Sequence, residues 1–328
     1  MILWKFSASL TLAALLGGLA VPALADSLRI GWQQIVEPSR VPQADKSYEA
    51  ATGADVEWHL FGGGADVIAA IAAGSIDIGY VGSSPLTAAA SQDLPIETIY
   101  IVGNIAEAEA LAVKGIDSPE GLKGKKIATP FVSTAHYSLL TALKHWGIDP
   151  AEVNLLNLRP QEIAAAWERG DLDGAYIWDP VLNQIKTTGG TVLADSADVA
   201  GWGGPTFDAW IVRKEFAEKH PEIVTAFVKV TGQATDAYLA DPEAWGPDSE
   251  QAKKIAELTG APAADIPALL NGYALAGSKD QTGENFLGGA TAAAIKATAD
   301  FLQQQGSATA KDDYSSFVNP GYAEAALK

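Results

Sequence analysis

Apolar residues recur along this chain in two rhythms. Short runs of Ile, Val and Leu mark buried strands. Longer stretches with Ala, Leu or Ile every three or four positions mark the helices that cover them. Residues 27–32 predict a strand entering a loop. Residues 41–51 have helical spacing closed by Gly53, and Val56, Trp58 and Leu60 alternate with polar neighbours as a strand does. Gly62-Gly63-Gly64 opens a helix over 65–73, residues 76–81 predict a strand, and Ser83-Ser84-Pro85 starts an alanine-rich helix. With further strands at 96–102 and 111–113, the order β-α-β-α-β predicts a parallel, doubly wound sheet.

The pattern restarts after the polar segment 114–125. Strands over 126–130, 153–158, 175–178 and 191–193 are interleaved with helices over 133–146 and 161–169, and residues 209–212 form a strand that leaves this second unit. From Lys214 onward the spacing is almost wholly helical, over 222–240, 249–259, 263–271 and 291–305. A short echo links the halves: Gly74-x-x-Asp77-x-x-Tyr80 returns 96 positions later as Gly170-x-x-Asp173-x-x-Tyr176. Each copy ends an apolar helix and opens a strand. This predicts two similarly built α/β lobes facing each other, with a ligand beyond the carboxyl ends of their strands.

Composition narrows the class. The 328 residues are 48% hydrophobic and 19% charged, which supports a sizeable core and excludes disorder. Asp and Glu number 40 against 22 Lys and Arg, a net charge of −18, so nucleic acid and anionic membranes are poor partners. The absence of cysteine removes thiol nucleophiles, disulfides and cysteine-bound metals. At the start, Lys5 precedes an apolar run from Leu10 to Leu19, and Pro22-Ala23-Leu24-Ala25 supplies a small-residue cleavage site. Residues 1–25 are therefore expected to be an export signal cleaved after Ala25. No later run reaches the ~20 apolar residues that span a bilayer. No two histidines have metal-ligand spacing and Gly62-Gly63-Gly64 lacks the Lys-Ser/Thr of a phosphate loop, so neither metal nor cofactor is expected.

Two strand-to-helix junctions invite an anion. In Gly82-Ser83-Ser84-Pro85 and in Ser133-Thr134-Ala135-His136, hydroxyls and free N–H groups meet the positive end of a helix dipole. A serine there is more often a plain cap. His136 in a first turn is an odd structural choice unless an anion sits in front of it. Two acids stand among aromatics: Glu37 in the loop after Trp32, and Asp208 between Phe207 and Trp210. Either could be a solvated surface charge, yet Asp208 lies in an apolar stretch where an unpaired carboxylate is costly and a cationic ligand group would compensate it.

Several segments carry a family resemblance: Gly82-Ser83-Ser84-Pro85, Ser133-Thr134-x-His136-Tyr137-Ser138-Leu139-Leu140, the run from Ala164 to Tyr176, and Gly203-x-Pro205-Thr206-x-Asp208-x-Trp210. They resemble the taurine-binding proteins of ABC importers, within the alkanesulfonate, nitrate and taurine group of type II periplasmic binding proteins. The resemblance implies two doubly wound α/β lobes joined by two hinge crossings, with one small ligand in the cleft. It implies that Ser83, Ser84, Thr134 and His136 hold a sulfonate, that Glu37 and Asp208 hold an ammonium from opposite lobes, and that Gln33 and Trp178 line the alkyl chain. The expected lobes are 26–113 with 214–328, and 114–213, with hinges near Ala112–Gly115 and Val212–Lys214. The implied partners are an ABC permease and its ATPase, and the implied state is a periplasmic monomer. A binding protein for other aliphatic sulfonates is the alternative. No Ser-His-Asp spacing or cofactor loop supports catalysis, so no enzyme is expected.

Overall fold

The computed structural model describes residues 27–306 and 308–328; the expected export signal, residues 1–25, lies outside them. The first strands are β1 (Ser27–Trp32), β2 (Asp55–Leu60), β3 (Ile78–Gly82) and β4 (Ile96–Ile105). Then come β5 (Glu109–Val113), β6 (Lys126–Thr129), β7 (Asn154–Asn157), β8 (Gly174–Trp178) and β9 (Thr191–Asp195). The last are β10 (Phe207–Arg213) and β11 (Tyr273–Leu275). They form two sheets, ordered β11-β4-β10-β3-β1-β2 and β7-β6-β8-β5-β9.

The sheets share one plan. In the first, β1 runs parallel to β2 and β3, while β10 is inserted antiparallel between β3 and β4. In the second, β6 runs parallel to β7 and β8, while β5 is inserted antiparallel between β8 and β9. The expected parallel, doubly wound sheet is present in each unit with an antiparallel strand inserted, for a geometric reason. The parallel strands end where the two units meet. A chain arriving from the other unit enters its new sheet at that same end and must run the opposite way.

The same fact moves the crossings. β5 belongs to the second sheet and β10 to the first, so the chain crosses at residues 106–108 and 202–206, not near Ala112–Gly115 and Val212–Lys214. The two crossings lie side by side, with the Ile105 N–H donating to the Thr206 carbonyl at 2.9 Å, and the first is also tied to the C-terminal part by the Ala108 N–H, which donates to the Gly272 carbonyl at 3.0 Å. Asp208 therefore belongs to the first unit, as Glu37 does. A further tie comes from the helix Ala290–Gln304. Its Phe301 packs edge-on against Tyr137 of the second unit, beside Leu140.

The sequence echo marks equivalent places, because β3 and β8 hold the same position in their sheets. Gly74 and Gly170 take left-handed φ values of +67° and +74° to end their helices. Asp77 accepts the Arg29 backbone N–H at 3.2 Å and Asp173 that of Lys126 at 2.9 Å, each bracing the start of the adjacent first strand. The tyrosines of the echo, Tyr80 and Tyr176, are fully buried.

A cleft between the two units

The carboxyl ends of the parallel strands face one another across a small cleft. Gln33, Ile35, Gly64, Gly82, Pro85, Ile105, Asp208 and Tyr273 line it from the first unit; Glu109, Ser133, Thr134 and Trp178 line it from the second. Three helices begin there. Gly64 opens the helix Gly64–Ala72, Gly82 caps Ser83–Ser91, and Ser133 caps Thr134–His145. Free N–H groups and three positive dipole ends give one face of this cleft a chemistry that suits an anion. Ser84 stands in the first turn between Gly82 and Pro85. It is 3% exposed, and its buried hydroxyl has no hydrogen-bond partner. Gly82 permits the close approach: a Cβ there would lie 2.6 Å from Thr134 Cγ2 and 3.3 Å from Asp208 Oδ1.

Two acids supply the opposite character. Asp208 is 3% exposed, and both Tyr80 and Tyr273 donate to its Oδ2, at 3.0 and 3.1 Å. Burial pushes its pKa up to about 7, against the pull of those two hydroxyls. Glu109 is 1% exposed and accepts from Thr134 at 2.6 Å and Ser196 at 2.9 Å. Burial pushes it up to about 8, again against hydroxyl donation. What steadies each carboxylate is hydroxyl donation, not a cation.

The structure brings Gln33, Thr134, Trp178 and Asp208 of the expected site residues into the cleft lining, with Ser84 beside it. Thr134 faces the cleft but gives its hydroxyl to Glu109. Ser83 Oγ accepts the Phe207 N–H at 3.4 Å, and Gly82 rather than either serine caps the helix.

Two expectations are corrected. Glu37 is no free ammonium partner: the fully buried Arg40 donates to it through Nε at 2.8 Å, and the Ser39 N–H at 2.7 Å. The Arg40 guanidinium is itself packed over the rings of Trp32, Tyr80 and Trp210. Glu37 also lies outside the cleft lining. His136 lies outside it too. Its ring stacks on Phe131 with centroids 4.4 Å apart and planes 9° from parallel, and its backbone N–H serves the Ser133 cap at 3.1 Å. Burial pushes the imidazole down to about 4, so it is uncharged at neutral pH. Glu109 and Tyr273 were missed. Glu109 had a readable signal, since it opens the apolar run Glu109-Ala-Leu-Ala-Val113 much as Asp208 opens its own; Tyr273 had none.

Two α/β units crossed twice by the chain, meeting at a small cleft lined by helix N-termini from both, define a periplasmic-binding-protein fold with a solute site. The comparisons with known proteins agree. Over residues 26–256 the chain belongs to the family described as the substrate binding domain of ABC-type glycine betaine transport system. It is 46% identical over 316 residues to the taurine-binding periplasmic protein of Escherichia coli (strain K12), covering 96% of this chain and 98% of that one. The family resemblance read in the sequence is borne out. The fold matches that of the alkanesulfonate-binding protein of Xanthomonas axonopodis pv. citri bound to MOPS, with a TM-score of 0.76 at 24% identity over 91% of this chain and 100% of the other. It also matches the periplasmic aliphatic sulphonate binding protein of Escherichia coli, with a TM-score of 0.72 at 21% identity over 92% and 99%. Among the described residues no helix is long and apolar enough to cross a membrane.

Proposed function

We propose that this protein captures taurine, 2-aminoethanesulfonate, outside the cytoplasm and delivers it to the permease and ATPase of an ABC importer. One observation carries the reading: a single small cleft combines three helix N-termini with buried acids that no cation offsets. That is the complement of a short zwitterion. The sulfonate sits against the N-termini at Gly82–Ser84 and Ser133, where the unpartnered Ser84 hydroxyl is an added donor. The ammonium meets Asp208, and Trp178, Ile35 and Gln33 enclose the two-carbon spacer. Closure about residues 106–108 and 202–206 encloses the ligand. In this reading the protein acts as a monomer after removal of residues 1–25, needs no metal or cofactor, catalyses no reaction and binds no nucleic acid.

A binding protein for amine-free aliphatic sulfonates is the second reading. It is favoured by the raised pKa of Asp208, which lets that acid sit uncharged beside a ligand lacking an ammonium. A thermal-shift panel separates the two. Taurine raises the Tm most. Ethanesulfonate lacks the cation, β-alanine replaces the sulfonate by a carboxylate, and glycine betaine lacks N–H donors, so each raises it less. A panel in which taurine gives no shift overturns the proposal.

A further inference from the structure

The echo that pairs Tyr80 with Tyr176 extends to a pair of acids. Asp208 stands on β10, the inserted strand of the first sheet, opposite Gly82. Glu109 stands on β5, the inserted strand of the second sheet, opposite Trp178. Gly82 and Trp178 each lie two residues beyond the repeated tyrosine. Each tyrosine serves the acid of its own unit. Tyr80 donates to Asp208 directly; the Tyr176 hydroxyl is 3.2 Å from Ser196 Oγ, which donates to Glu109 at 2.9 Å. The two lobes thus repeat a tyrosine and an acid on matching strands, and both acids face one cleft.

Among the described residues, the hydrogen-bond partners of Glu109 are hydroxyls and include no cation. Thr134, Ser196 and Ser138 all present hydroxyls to it, at 2.6, 2.9 and 3.5 Å. Three hydroxyls can serve both oxygens of a carboxylate, and one of them can instead accept the proton of the neutral acid. Hydroxyls do not neutralise the charge, and an uncompensated buried carboxylate is costly. The way to a cation leads through the cleft. The point where a Cβ on Gly82 would stand is 3.3 Å from Asp208 Oδ1 and 3.5 Å from Thr134 Oγ1, the hydroxyl bound to Glu109. Both tyrosine bonds to Asp208 go to Oδ2, which leaves Oδ1 for another donor.

We propose that Glu109 is a second ligand-binding acid: with Asp208 it holds the ammonium of the bound solute between the two units and makes the cleft select for a cationic group. The proposal rests on the taurine reading and deepens it, by giving the amine one partner in each lobe.

The test is calorimetric titration with taurine and with isethionate, which has the same carbon chain and sulfonate but a hydroxyl in place of the ammonium. Wild type and Glu109→Gln are compared, with the melting of each free protein recorded. The expected result is a wild-type preference for taurine of ~100-fold or more. Glu109→Gln should weaken taurine at least ~10-fold while isethionate stays within about threefold. Structural damage would lower both ligands together, so a parallel loss overturns the assignment. A wild-type preference that survives Glu109→Gln also overturns it, and leaves the taurine reading standing. Equal wild-type affinities overturn the taurine reading and the assignment with it. Should Glu109→Gln fail to fold, Glu109→Asp, which keeps the charge and withdraws it by one methylene, carries the same comparison, with a smaller loss confined to taurine.

Discussion

Replacing Asp208 by asparagine should make the free protein more stable and the binding protein worse. The side chain is 3% exposed, and burial raises its pKa from 3.8 to about 7. Because the folded-state value is the higher one, the native chain holds this proton more tightly than the unfolded chain. The group's contribution to stability is full below about pH 4 and is lost as the pH rises to about 7. At 1.36 kcal/mol per pH unit, the ligand-free wild type loses roughly 3 kcal/mol through Asp208 between pH 5 and pH 8. Asparagine has nearly the same shape, can still accept from Tyr80 and Tyr273, and does not titrate. Denaturant unfolding of both ligand-free proteins at pH 5 and pH 8 reads the effect as a difference of differences, in which Glu109 and other shared groups cancel. Asp208→Asn should gain on wild type as the pH rises, and at pH 8 its affinity for taurine should fall ~100-fold or more. Parallel stability profiles for the two proteins would refute the claim that Asp208 is a buried acid waiting for a cation.

Further outcomes follow from the same geometry. Gly82→Ala sets a methyl 2.6 Å from Thr134 Cγ2; it should prop the units apart and weaken taurine ~100-fold in calorimetry while the free protein melts near wild type. Arg40→Ala leaves Glu37 buried without its cation and should cost about 3–5 kcal/mol in denaturant unfolding. His136→Ala removes an uncharged ring stacked on Phe131 and outside the cleft lining, so taurine affinity should change less than ~10-fold in calorimetry; a larger, taurine-specific loss would return His136 to the site.

The elements were legible because periodicity is local. Ile30, Ile78, Ile127 and Ile177 are fully buried in strands where apolar runs predicted them. The echo was legible because Asp77 and Asp173 do the same work in each sheet. The crossings were not legible, since the apolar pattern of 109–113 and 207–213 says that a strand is buried without saying in which sheet. The site was half legible. Asp208 stood out as an acid in an apolar run, and the same reasoning applied to Glu109 would have found it. Glu37 misled because its partner is Arg40, three residues away at the start of the helix Arg40–Ala44, with its guanidinium over Trp32 and Trp210. His136 misled because the charge assumed for it depends on solvent, and stacking on Phe131 in a half-buried setting withdraws much of that solvent. Tyr273 reaches Asp208 from the helical C-terminal part on a three-residue strand, too short to announce itself.

A cleft with helix N-termini on one face and buried acids beside them should read both ends of a zwitterion. Taurine has seven non-hydrogen atoms, so a ceiling of ~−1.5 kcal/mol per atom limits its binding to roughly −10 kcal/mol, and approaching that limit requires both charges to be paired. Titrating the wild-type protein with taurine and with ethanesulfonate, at one pH and one ionic strength, tests this most directly. Ethanesulfonate should bind at least ~100-fold more weakly, a gap of roughly 2.7 kcal/mol; equal affinities would contradict a cleft that pairs both charges.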